Sequence, residues 1–140
     1  DHGEARIGLA ITDLVGILAH PLETIHVQKT PVFERINTLI DQRQVKQIVI
    51  GLPLRMDGSE GTAAAKIRNF TEELSESLVN PIPIHLIDER LTTVSAAEKL
   101  HAAGKNAKKQ KTIIDQAAAV EILTDWLTQQ APSIFEEPHW

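Results

Sequence analysis

The chain has 140 residues, a formal net charge of −5 and no cysteine, which excludes disulfides and thiolate metal ligands. Its length suits one compact domain, no apolar run approaches the ~20 residues that cross a bilayer, and no signal peptide is visible, so the cytoplasm is the default compartment. The acidic balance also argues against a general nucleic-acid coat, which shows a basic excess.

In chain order, DHGEARIGLAI (1–11) reads as the end of one strand turning into the next, which places residues upstream of Asp1. A strand runs on from Ile7, with a turn at 13–16. PLETIHV (21–27) alternates apolar and polar residues and predicts a half-exposed strand. Thr30 and Pro31 predict a helix start, with Thr30 as N-cap and Pro31 at the first helical position. Phe33, Ile36, Leu39 and Ile40 share one face of that helix. QIVIG (47–51) predicts a short buried strand ended by Gly51, followed by a loop, LPLRMDGSEG (52–61), with a turn at Asp57 and Gly58.

Ile67, Phe70, Leu74 and Leu78 lie three or four residues apart, the stripe of a second helix. NPIP (80–83) breaks it, and a strand over 84–87 stops at Asp88 and Glu89. A small alanine-rich helix is expected over 93–103, with Ser95 and Glu98 at capping-box spacing. GKNAKKQK (104–111) holds four lysines and no acid and reads as a basic loop. A long helix is expected over 112–130. The tail, 131–140, carries two prolines and is expected to be irregular. Residues 1–130 thus form one domain of the α/β class, a mixed sheet flanked by helices.

Three carboxylates could carry chemistry. Asp1 is either a turn acid beside a turn glycine or a metal ligand at a strand end, with Gly3 admitting a phosphate. Asp88 and Glu89 end a buried strand. Taken alone they read best as a solvated end with Arg90 as ion partner. Neighbouring strand residues point to opposite faces, so only one aims into a given site, and Glu89 is the favoured one. Asp115 has capping-box spacing from Thr112 and suits a first helical turn. It also shares an apolar face with Ala118 or Ala119, Ile122 and Trp126, which would half-bury it against the sheet, where a metal ion removes the cost of an unpaired carboxylate. Such an oxygen-rich set suits Mg²⁺ or Mn²⁺ rather than zinc. Two such ions would activate water and stabilise the leaving oxygen in phosphodiester cleavage. The six histidines include no His-x-x-x-His pair; His2 and His85 read as packing or hydrogen-bonding groups.

Four segments, DHGEARIGLAITD, IVIGLPLRMDGSEG, HLIDERLTTVSA and IIDQAAAVEIL, occur in the order and spacing of the RuvC-like YqgF family, pre-16S rRNA nucleases also described as Holliday-junction-resolvase homologues. The chain resembles that family up to about Gln130. The resemblance implies an RNase H-like fold with a mixed five-stranded sheet between helices, its first strand truncated here. It implies a divalent-metal phosphodiesterase acting on structured nucleic acid, RNA or branched DNA, with a site that takes two Mg²⁺ or Mn²⁺ ions. By position, the family's acids fall on Asp1, Glu89 and Asp115, with Asp88 in a lesser role. The loop with Arg55 and Gly58 matches the family's Gly-Leu-Pro loop and would contact substrate. Lys105, Lys108, Lys109 and Lys111 would form a phosphate clamp or a solvated loop, and Arg90 would pair with Asp88 or reach substrate. A missing first strand would leave Asp1 with a free ammonium and no strand to position it.

A junction resolvase needs a symmetric dimer, whereas a processing nuclease can be monomeric, so monomer and homodimer both stay open. The Asp-x-Gly start is also similar to that of actin-like sugar kinases, which need two such domains. A non-catalytic nucleic-acid-binding module is the remaining alternative.

Overall fold

The computed structural model describes residues 1–89 and 107–130, with side chains from Thr112 onward in the last helix. The helix expected over 93–103, the cap pair Ser95 and Glu98, Arg90, Lys105 and the tail lie outside the described residues. The elements run β1 (Arg6–Thr12), β2 (Ala19–His26), α1 (Val32–Arg43), β3 (Ile48–Leu52), α2 (Thr62–Ser77), β4 (Ile84–Asp88) and α3 (Ala107–Gln130).

Strands β1 and β2 form an antiparallel hairpin. The Asp13 carboxylate accepts the Ile17 N–H at 2.9 Å and Gly16 takes φ +76°, so the turn falls where the sequence placed it. The register shifts between Leu9 and Ala10, where Pro21 enters β2; a proline is tolerated at such a bulge. Strands β3 and β4 pair in parallel, Ile48 against Ile84 through Leu52 against Asp88. Among the described residues the strands therefore make two two-stranded sheets, where one mixed five-stranded sheet was expected. A cavity of about 820 Å³ lies between them, lined by Leu9, Ile11, Ile48, Ile50, Phe70 and Trp126 among others.

Alternation within each strand assigns the layers. On one face of the hairpin Ile7 pairs with Ile25, both buried, and Glu23 accepts two hydrogen bonds from Arg35 of α1, at 2.7 and 2.9 Å. On the other face the Thr24 hydroxyl donates to the Thr112 carbonyl at 3.1 Å and accepts from Gln116, also at 3.1 Å, so α3 covers that side. In β3, Ile50 and Leu52 face α2 and bury with Ala64, Ile67 and Leu74, joined by Phe33 and Ile36 of α1. Val49 pairs with His85, whose ring lies 5.2 Å from Trp126 of α3. Each fully buried Leu or Ile here contributes about 1.5–3 kcal/mol. The result is helix α3 on one side of both sheets and α1 with α2 on the other.

Three element boundaries differ from expectation. Helix α1 begins at Val32 with Pro31 as its cap, and no side chain caps it; Lys29 and Thr30 both return their N–H groups to the His26 carbonyl, so Thr30 belongs to the turn. Strand β3 continues through Gly51 to Leu52. Helix α3 begins at Ala107, so Lys108, Lys109 and Lys111 are helical rather than in a loop. Ala, Lys and Gln are strong helix formers, and their summed propensity outweighs the unfavourable placing of cations at a helix start. Asp115 therefore stands in the third turn of α3, and Thr112 is no cap.

Candidate metal centre

The site begins with the ladder that holds Asp1. Its amino group donates to the Gly8 carbonyl at 2.9 Å, and its carbonyl accepts the Gly8 N–H at 2.9 Å. His2 bridges to Ile7, and Gly3 donates to the Arg6 carbonyl at 2.9 Å. Residues 1–3 thus run antiparallel along the free edge of β1, and Asp1 is positioned by a strand ladder after all. His2 lies 4.3 Å from the Phe70 ring and is held below its ordinary pKa by burial and by repulsion from the Asp1 amino group. That is the packing role expected of it.

Helix α3 brings the second acid. Gly8 lies directly beneath Asp115: a Cβ there would stand 2.0 Å from the Asp115 carbonyl oxygen and 2.9 Å from its Cβ. Only glycine allows this approach of helix to strand. Arg6, two residues along and hence on the same face, donates from Nε to Asp115 Oδ2 at 2.7 Å. The side chains of the pair are 31% and 16% exposed.

The third acid arrives from β4. Glu89 is the residue after the strand and folds over β3. A Cβ on Gly51 would fall 2.4 Å from Glu89 Oε1 and 2.6 Å from its Cγ. Burial pushes the Glu89 carboxyl above the usual carboxylate range, the Asp1 amino group pulls it down, and Asp88 pushes it up. The Asp1 amino group is itself driven down to about 6 by burial, while Glu89 and Asp115 pull it up. Asp1 lines the cavity between the sheets, while Asp115 rests on β1 at Gly8 and Glu89 on β3 at Gly51.

Their chemistry suits a hard cation, since every side-chain donor is a carboxylate oxygen. Among the described residues no three carboxylate or imidazole groups stand close enough together to form a ready cage; Arg6 is the cation paired with Asp115.

The loop 52–61 carries Arg55 and Gly58. Asp57 Oδ1 accepts the Ser59 N–H at 2.9 Å, the Gly58 N–H donates to the Arg55 carbonyl at 2.8 Å, and Gly58 has φ +88°. A Cβ on Gly61 would fall 2.7 Å from Arg55 Nε, so the Arg55 side chain folds over the start of α2. Lys66 pairs with Glu4 and Arg68 with Glu60, both on the surface. In the sequence, the small residues of IGLA (7–10) allow close packing behind the site, and Gly8 takes that role; Arg6 was not singled out, and Gly51 was expected only to end a strand. For the glycines a signal existed: an isolated glycine within a strand marks a close approach. For Arg6 the only signal was its i, i+2 relation to Gly8.

A family model described as RuvX, Holliday junction resolvase, matches residues 1–129. A Cutibacterium acnes protein named "Putative pre-16S rRNA nuclease" is 45% identical over 129 residues, covering 92% of this chain and 79% of that protein. Proteins of the same name from Streptomyces coelicolor, 45% identical over 134 residues with coverage of 95% and 80%, and from Mycobacterium leprae, 43% identical over 142 residues with coverage of 99% and 77%, are similar along almost the whole chain.

Proposed function

The chain belongs to the RuvX family of Holliday junction resolvases, and on that premise we propose that it is a divalent-metal-dependent endonuclease that hydrolyses phosphodiester bonds in structured nucleic acid, its substrate being the 5′ end of precursor 16S rRNA. The observation that supports the reading is the close approach of Asp115 to Gly8 on β1 and of Glu89 to Gly51 on β3, with Asp1 hydrogen-bonded along the edge of β1. The names of the relatives supply the substrate.

In this reading Asp1, Glu89 and Asp115 are the catalytic ligands of Mg²⁺ or Mn²⁺, two ions in all. The bound ions supply an activated water and charge for the leaving oxygen. The chain does the positioning. Gly8 sets the height of Asp115 above β1, Gly51 gives Glu89 room to fold inward, and the hairpin ladder fixes Asp1. Asp88 adjusts the charge on Glu89. Arg55, with the turn at Gly58, and Lys105, Lys108 and Lys109, before and within the start of α3 in sequence, would contact substrate phosphates.

The finer fold belongs to the same proposal. An extended segment continuing the ladder of His2 and Asp1 along Leu9 to Thr12 would enter the cavity between β1 and β3. It would join the two sheets into one five-stranded RNase H-like sheet within a domain spanning residues 1–130. The apolar lining and the free edge of β1 support this. Among the described residues no helix is long and apolar enough to cross a membrane, and a ribosomal RNA substrate places the work in the cytoplasm. A monomer suffices for it.

The second reading, favoured by the family's description, is resolution of four-way DNA junctions by a homodimer. Incubation of the protein with Mn²⁺ and either a precursor 16S rRNA 5′ leader or a four-way DNA junction decides. Cleavage of the RNA, abolished by EDTA, is the expected result. Cleavage of the junction alone would establish the second reading, and binding of either without cleavage would make the chain a non-catalytic module.

A further inference from the structure

We propose that Arg6 is a positioning residue for Asp115, fixing one oxygen of its carboxylate and setting, by its charge, how tightly the neighbouring site holds a divalent cation. The inference rests on the nuclease reading above. Arg6 Nε lies 2.7 Å from Asp115 Oδ2, and among the described residues no hydrogen bond is made to Oδ1. The arginine is anchored at its own backbone: its carbonyl accepts the Gly3 N–H at 2.9 Å, and it pairs with His26 across the hairpin. Its guanidinium therefore reaches α3 from a rigid base, beside the point where Gly8 admits the helix.

A half-exposed ion pair contributes little to stability. Its effect on orientation is larger, because it removes the rotational freedom of a carboxylate that must present one oxygen to a cation. The same guanidinium opposes that cation. Removing it should strengthen cation binding while loosening Asp115, so affinity and turnover move in opposite directions. A residue that only supported the fold would lower both or neither.

The test uses the whole chain with Arg6→Gln and Arg6→Lys, read by calorimetric titration of Mn²⁺, by turnover on the precursor leader at saturating Mn²⁺, and by thermal unfolding. Arg6→Gln is expected to bind Mn²⁺ on the order of tenfold tighter, the effect of deleting a unit charge a few ångströms from a divalent ion even at the dielectric of water. Its turnover is expected to fall by about tenfold or more. Arg6→Lys keeps the charge and hence the parental affinity, but recovers only part of the turnover, because an ammonium lacks the planar fork. Unchanged or weaker Mn²⁺ binding by Arg6→Gln, or parental turnover in either variant, would overturn the proposal. Should Arg6→Gln unfold, Arg6→Lys decides alone: parental affinity with reduced turnover supports the proposal, and parental turnover ends it. A parent that neither binds Mn²⁺ nor cleaves removes the nuclease reading and this inference together. A parent that does both while the variants match it removes this inference only.

Discussion

Gly8→Ala should unfold at markedly lower denaturant than the parent and should lose its grip on divalent cations as well. The added methyl would meet the Asp115 carbonyl oxygen at 2.0 Å and its carbon at 2.3 Å. Those atoms are backbone, within a 24-residue helix, so they cannot swing aside as a side-chain end does. Either α3 lifts from β1 or β1 bends. Lifting α3 stretches the Thr24 bonds to Thr112 and Gln116 and the Arg6–Asp115 pair, and it loosens buried Ala119 and Ile122. Overpacking of this kind costs about 1–3 kcal/mol, occasionally more, and a backbone collision belongs at the upper end. The midpoint of urea unfolding measures it. A parental midpoint would mean that α3 does not rest on Gly8.

The larger effect on activity is expected from the carboxylates. Glu89→Gln and Asp115→Asn keep size and shape and remove only the charge, so both variants should fold as the parent does. Asparagine still offers Arg6 an acceptor oxygen. Each variant should cleave the precursor leader slower by on the order of 10²-fold or more, since loss of even an outer-sphere partner of a bound metal costs 10–100-fold. The double variant should be little worse than either single one, because residues that act as a unit are non-additive. Single-turnover cleavage at saturating Mn²⁺ is the measurement. Activity within a few-fold of the parent would remove both residues from the metal site.

Much of this arrangement is legible in the sequence where one element decides locally. The 3, 4, 4 spacing of Ile67, Phe70, Leu74 and Leu78 marks α2, and Ile67 and Leu74 are buried on it. The halt of an apolar strand at Asp88 marks the end of β4. Legibility fails where two tendencies compete. GKNAKKQK looks like a solvated loop by charge, yet from Ala107 it is helix by propensity, which moves Asp115 from the first turn to the third. Thr30 and Pro31 match a helix start, yet the turn closing on His26 claims Thr30. What lies across the fold is not written locally at all. Arg6 and Asp115 are 109 residues apart, and nothing in either neighbourhood names the other. Gly51 reads as the end of a strand until Glu89 is seen to need its missing side chain. The five-stranded sheet is implied only by the family resemblance; among the described residues no strand joins β1 to β3, and the strands make two two-stranded sheets.

The central claim is that Asp1, Glu89 and Asp115 serve one cation-binding locus shared by elements of both sheets. Paramagnetic broadening by Mn²⁺ in amide NMR spectra tests it most directly. The account predicts that trace Mn²⁺ erases the amide signals of Gly8 on β1 and Gly51 on β3 together, and that Asp115→Asn spares both. Loss of one signal without the other, or broadening confined to the acidic surface of α2 at Glu72, Glu73 and Glu76, would contradict it.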